Sequence, residues 1–79
     1  MTTPEEMAER IAREVEKRGG RTYYVGGFVR DRLLGIDTKD VDIEIHGVPA
    51  PALEAVLDRL GTRTQMGASF GIYGLPLRH

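Results

Sequence analysis

The chain has 79 residues, 41% hydrophobic and 29% charged, with a formal net charge of −1 and no cysteine. A chain of this length makes one small domain with a thin core, burying only about 60–65% of the surface it exposes unfolded. This composition excludes disulfides and thiol chemistry, an overall electrostatic pull toward nucleic acid, and any apolar run near the ~18 residues of a membrane span.

The N-terminus, Met1-Thr2-Thr3-Pro4-Glu5-Glu6, is acidic and lacks the apolar stretch of a signal peptide, so a cytoplasmic protein is expected. The first predicted element is a helix of about four turns. Thr3 caps it, Pro4 takes the first helical position, and Glu6 completes a capping box. Met7, Ile11 and Val15 recur every fourth residue with Ala8 and Ala12 beside them, which gives one core-facing stripe. Glu9, Arg10, Arg13, Glu14, Glu16 and Lys17 are expected on its solvated face, and Gly19-Gly20 closes it.

Thr22 to Val25 is a short β-prone run, followed directly by Gly26-Gly27. Phe28 to Leu34 predicts a two-turn helix closed by Gly35, and Ile36 to Lys39 a loop. From Asp40 the period becomes two, with Val41, Ile43 and Ile45 alternating with Asp40, Asp42, Glu44 and His46. Gly47 to Pro51 is a turn, and Pro51 to Leu60 a helix burying Leu53, Val56, Leu57 and Leu60. Two strands are expected at Thr62 to Gln65 and Phe70 to Tyr73, joined across Met66-Gly67-Ala68-Ser69. The fold class is α/β (α+β), in the order α-β-α-β-α-β-β, with a mixed sheet of about four strands and three helices.

Asp40 and Asp42 stand two apart on a predicted strand, so they project from one face about 6.6–6.8 Å apart. Two carboxylates at that spacing can share hard cations, and two-metal sites hold their ions about 3.5–4 Å apart. Alternating apolar and acidic residues also describe an ordinary strand with one wet face. Two observations tilt the balance: Asp is depleted in strands, and like charges on one face repel unless a cation neutralises them. Gly26-Gly27 between a strand and a helix lets backbone approach a ligand with no Cβ in the way. The helix that follows offers N–H groups to an anion, and Arg30 lies about one turn on, within reach of a phosphate. The plainer alternative is a tight turn and a surface arginine. Taken together, an anion cradle followed by two acids on a strand suits a magnesium triphosphate.

Tyr24-Val25-Gly26-Gly27-Phe28-Val29-Arg30-Asp31-Arg32-Leu33-Leu34-Gly35, then Lys39-Asp40-Val41-Asp42-Ile43-Glu44, resembles the head-domain signature of tRNA nucleotidyltransferases. These are the CCA-adding enzymes, to which bacterial poly(A) polymerases are similar, within the DNA polymerase beta-like superfamily. Phe70-Gly71 also matches a recurrent strand start there. The resemblance implies that Asp40 and Asp42 are catalytic and hold two Mg²⁺ ions. It implies that Gly26 and Gly27 lie against the triphosphate of CTP or ATP and that Arg30 contacts the nucleotide. Asp31, Lys39 and Glu44 are supporting candidates: Asp31 as a brace rather than a metal ligand, Lys39 as a solvated loop lysine or near the phosphates, Glu44 at an edge position, in a hydrogen-bonding role or as a further ligand. His46 is expected to be structural or exposed. The implied partners are an NTP and the 3′ end of an RNA, in the first place tRNA.

The resemblance covers a partial head domain over residues 1–79. The neck, body and tail of the family are not recognisable, and Gly74 to His79 does not look like the expected continuation of the sheet. A fragment, a truncated product or a minimal stand-alone version are all compatible with this, and thin core and exposed edge favour a homodimer. The alternative function is a catalytically inactive nucleotide- or metal-binding or dimerising module. Small stand-alone nucleotidyltransferases carry Gly-Ser where this chain has Gly-Gly, which speaks against them. The net charge speaks against a purely nucleic-acid-binding module.

Overall fold

The structure is a computed structural model that describes residues 2–35, 40–62, 67–69 and 71–78. Its first helix, α1 (Pro4–Lys17), begins where the capping signal places it. Thr3 is extended, and its hydroxyl oxygen accepts the Glu6 N–H at 3.1 Å. Ala8, Ile11 and Val15 are fully buried. The helix closes through the Gly19 and Gly20 N–H groups, which donate to Glu16 O and Val15 O at 3.0 Å each.

Strand β1 (Arg21–Val25) leads into α2 (Gly27–Leu33), and β2 (Val41–His46) into α3 (Ala50–Leu60). The chain ends in a hairpin of β3 (Gly67–Ser69) and β4 (Ile72–Leu77). The strands lie in the order β1-β2-β4-β3. One face of the sheet meets α1 and α3 through a core of Val41, Ile43, Ile45, Leu75 and Leu77 against Ile11, Val15, Leu53 and Leu57. Helix α2 touches β1 and β2, and its Arg32 Nη1 donates to Glu5 Oε1 of α1 at 2.9 Å. The second face carries Asp42, Glu44 and His46, half-buried where their neighbours Val41, Ile43 and Ile45 are buried.

The element order and the three-helix, four-strand count are as expected, with four differences. Every described strand pairing is antiparallel, so the sheet is not mixed. Helix α2 reverses the chain between neighbouring strands instead of carrying it across the sheet to a parallel one. The terminal hairpin lies further along the chain than expected. Ser69 pairs with Ile72, so the reversal falls between them, where Gly71 supplies a φ of +77°. Gly67 to Ser69 is therefore strand, not turn, and Gly71 is turn; residues 63–66 and 70 lie outside the described residues.

The third difference concerns Gly74 to Leu77, which does continue the sheet. Strand β4 pairs with β2 along its length and buries Leu75 and Leu77. Gly74 and Pro76 disguise it, since both are depleted in strands. The fourth difference is Glu14, expected in solvent but only 8% exposed. Its carboxylate accepts from Lys17 Nζ at 3.0 Å, Arg18 Nη1 at 3.2 Å and Arg59 Nη2, and so ties α1 to α3.

The Lys17 hydrogen bond holds the Glu14 carboxyl below its ordinary value of 4.5; burial opposes this, and Arg18 and Arg59 add to it. A lowered folded value contributes stability that is complete above the ordinary value and lost as pH falls through the folded one. Glu14→Gln is therefore expected to be less stable than the parent at neutral pH. The difference should shrink as pH falls below 4.5, measured by denaturant midpoints across pH. A gap that does not change with pH would assign the loss to shape rather than charge.

Candidate active site at the end of the first two strands

Register places the end of β1 beside the start of β2, with Val25 opposite Asp42. Gly26 follows at φ +73° and ψ −150°, in a region essentially reserved for glycine. A Cβ there would stand 3.4 Å from Asp42 Oδ2. Glycine thus supplies the backbone conformation and also leaves space beside the carboxylate. Gly27 opens α2, and a Cβ on it would lie 3.6 Å from Arg30 Nη2.

Asp40 immediately precedes β2 and is exposed, while Asp42 is its second residue and is half-buried. Val41 and Ile43, each 1% exposed, anchor the backbone on the far side. Asp42 is thereby held on a rigid strand, as a positioned site requires. It faces an open trough of about 570 Å³ whose lining includes Val25, Glu44, Gly67, Gly74 and Pro76.

Of the sequence candidates, Gly26 approaches Asp42, Asp42 and Glu44 line the same trough, and Asp40 directly precedes β2. Arg30 lies beside Gly27, and its Nε and Nη2 donate to Asp31 Oδ1 at 3.3 and 3.2 Å. Asp31 accordingly braces Arg30. Lys39 lies outside the described residues. Glu44 Oε1 is 3.2 Å from His46 Nε2, and the Tyr23 ring meets the His46 ring edge-on at 4.9 Å. On the helix-facing side of β1, burial first, then Glu9 and Glu5, pushes the Tyr24 phenol above its ordinary 10.0, which keeps it protonated.

Sequence reasoning missed Arg78, whose Nη1 lies 3.3 Å from Asp42 Oδ1. The signal was the two-residue alternation of Tyr73, Leu75 and Leu77, which extends the strand and carries Arg78 toward Asp42. Both partners are substantially exposed, so the pair is worth about 0–1 kcal/mol.

Among the described residues no group of three or more His, Asp or Glu side chains gathers to hold a metal. Mg²⁺ does not need such a cage, because it binds through one or two carboxylates and takes its other ligands from water and phosphates. The donors at hand are hard carboxylate oxygens, and the missing Cβ at Gly26 leaves Asp42 Oδ2 approachable. The residues fit that ion. No described helix is long and apolar enough to cross a membrane.

The family described as Poly A polymerase head domain matches residues 22–79. The chain is 45% identical over 49 residues to an A-adding tRNA nucleotidyltransferase of Geobacter sulfurreducens, covering 62% of this chain and 6% of that protein. It is 39% identical over 57 residues to a CCA-adding enzyme of Latilactobacillus sakei, covering 72% of this chain and 14% of the relative. A CCA-adding enzyme of Lactobacillus delbrueckii is 34% identical over 64 residues, 81% of this chain and 16% of the relative. The chain thus spans between 6% and 16% of the length of these relatives. No solved structure matches it significantly.

Proposed function

Because this chain belongs to the Poly A polymerase head domain family, we propose that it is a nucleotidyltransferase head that binds Mg²⁺–NTP for transfer to an RNA 3′ end. The names of its relatives point to tRNA as the acceptor and to CTP or ATP as the donor. The observation that carries this reading is the approach of Gly26 to Asp42, a glycine-only backbone corner beside an accessible carboxylate. A cytoplasmic setting belongs to the same proposal.

In this reading Asp40 and Asp42 hold Mg²⁺. The bound ions would neutralise triphosphate charge and favour the ionised form of the attacking 3′-hydroxyl. Gly26 and Gly27 let the phosphates lie against backbone. Arg30 gives Nε and one Nη2 hydrogen to Asp31, which leaves Nη1 to contact the nucleotide. The 3′-hydroxyl releases its proton to water, its oxygen bonds to the α-phosphorus, the bond to the β,γ-diphosphate breaks, and pyrophosphate leaves. Asp31 acts by orienting Arg30, and the buried face of β2 keeps the carboxylates in place.

A second reading is a nucleotide-binding or dimerising module without transfer. It is favoured by the pairing of Asp42 with Arg78 and of Arg30 with Asp31, a site held by its own counter-ions. Labelled CTP or ATP, Mg²⁺ and a tRNA lacking its 3′ end separate the two. Incorporation that Asp42→Ala abolishes is expected for the enzyme. Mg²⁺-dependent nucleotide binding without incorporation supports the module. Absence of both would overturn the site.

A further inference from the structure

Strand β2 lies between β1 and β4, and the two oxygens of the Asp42 carboxylate divide between what those strands bring. On the β1 side, a Cβ added to Gly26 would be 3.4 Å from Oδ2. On the β4 side, Arg78 Nη1 lies 3.3 Å from Oδ1. Arg78 reaches it because Val41 and Asp42 pair with Leu77 and Pro76, so the residue that follows β4 falls beside the start of β2. The two contacts use different oxygens. A cation taken by Oδ2 therefore does not have to displace the guanidinium from Oδ1, but it has to share one carboxylate with it. Both side chains are substantially exposed, so the pair contributes little to folding and its consequence is electrostatic.

We propose that Arg78 is a positioning residue that sets which form of Mg²⁺ Asp42 accepts, disfavouring the bare ion and favouring the ion that carries a polyphosphate. The proposal rests on the reading of Asp42 as a Mg²⁺ ligand. A guanidinium is charged at any working pH. Beside Asp42, its charge repels a bare divalent cation and attracts one wrapped in a polyanion, whose net charge is negative. Mg²⁺ suits such selection, because it binds through one or two carboxylates and takes water and phosphates as its other ligands. By holding Oδ1, Arg78 also keeps Oδ2 turned toward the glycine corner. The head then takes its metal with the polyphosphate and not before it. This is the opposite of a seal, since a counter-ion that closed the site would oppose both forms alike.

The test measures two affinities of the 79-residue chain by calorimetry at low salt, for Mg²⁺ alone and for Mg²⁺ tripolyphosphate. In Arg78→Ala the first is expected to rise and the second to fall, by roughly threefold each, the size of one unit charge acting across several ångströms of a water-like medium. Arg78→Gln keeps a donor and loses the charge, so it should follow alanine. Arg78→Lys keeps the charge and should stay with the parent. These differences should fade toward about 1 M salt, where charges act over only about 3 Å. A merely structural role would move both affinities the same way and would not depend on salt. Affinities that rise together, fall together or match the parent in Arg78→Ala would overturn the proposal. Asp42→Ala isolates the underlying reading: loss of both probes leaves it standing whatever Arg78 does, while binding of both like the parent removes the reading and the proposal with it. Parent protein that binds neither probe would overturn both.

Discussion

Asp42→Ala is expected to lower Mg²⁺-dependent nucleotide affinity on the order of 100-fold and to remove any nucleotide incorporation, because it deletes a proposed ligand outright. The effect should be specific to the site. Asp42 is half-buried, and its partner Arg78 is exposed, so the pair adds at most about 1 kcal/mol to folding. The melting temperature should therefore stay close to that of the parent. Calorimetry with Mg²⁺–CTP, beside a thermal melt, checks both halves of the expectation. Asp42→Asn keeps the shape and removes the charge, so it should behave like alanine in binding and like the parent in stability. Equal nucleotide affinity in parent and Asp42→Ala would remove Asp42 from the site.

The second large effect lies far from the acids. Gly20→Ala places a Cβ 2.5 Å from Val48 Cγ2, 2.7 Å from His46 O and 2.8 Å from Val15 Cγ1. One of these atoms is backbone at the end of β2, so the overlap is relieved only by separating α1 from the sheet. Overpacking of this kind costs about 2 kcal/mol. For a domain of this size that lowers the melting temperature by roughly 8–16 °C. Gly19→Ala is the informative companion. Its Cβ would meet nothing within 4 Å, but its φ of +81° disfavours a side chain, which costs about 1 kcal/mol. Gly20→Ala melting above Gly19→Ala would contradict the close approach. Gly74→Ala completes the contrast, since it has neither obstacle and is expected to leave stability unchanged or improved.

Gly20, Gly26 and Gly74 show how far the residues could be interpreted in one dimension. All are punctuation in the sequence. Gly20 marks a helix end, yet its reason is the contact with Val48 and His46 from elements more than 20 residues away. Gly74 disguised a central strand. Gly26 was expected beside a ligand, and the sequence supplied the reason to expect it: a glycine pair between a strand and a helix, just upstream of two acids. What it did not contain was the distance to Asp42.

Much of the fold was legible because its signals are local. The Thr3 cap, the four-residue recurrence of Met7, Ile11 and Val15, and the alternation of Val41, Ile43 and Ile45 each lie within a turn or two of chain. Each fixes which face is buried. The candidate site was legible to the same extent, in the glycine turn and the Asp40 and Asp42 spacing. Glu14 was misplaced because its burial depends on Arg59, 45 residues further along, on another helix. Arg78 was missed because its approach to Asp42 depends on how β4 registers against β2.

The amino-acid sequence by itself thus determined the element types and their order, and it supplied the residues proposed for a phosphate and metal site. Tertiary structure decided the antiparallel order β1-β2-β4-β3, the meeting of Gly26 with Asp42, the pairing of Asp42 with Arg78, and the register of Gly74 opposite Glu44. The division has a physical cause. Helix caps and hydrophobic periods act between near neighbours in the chain, whereas strand register is set by burying one whole face of the sheet at once.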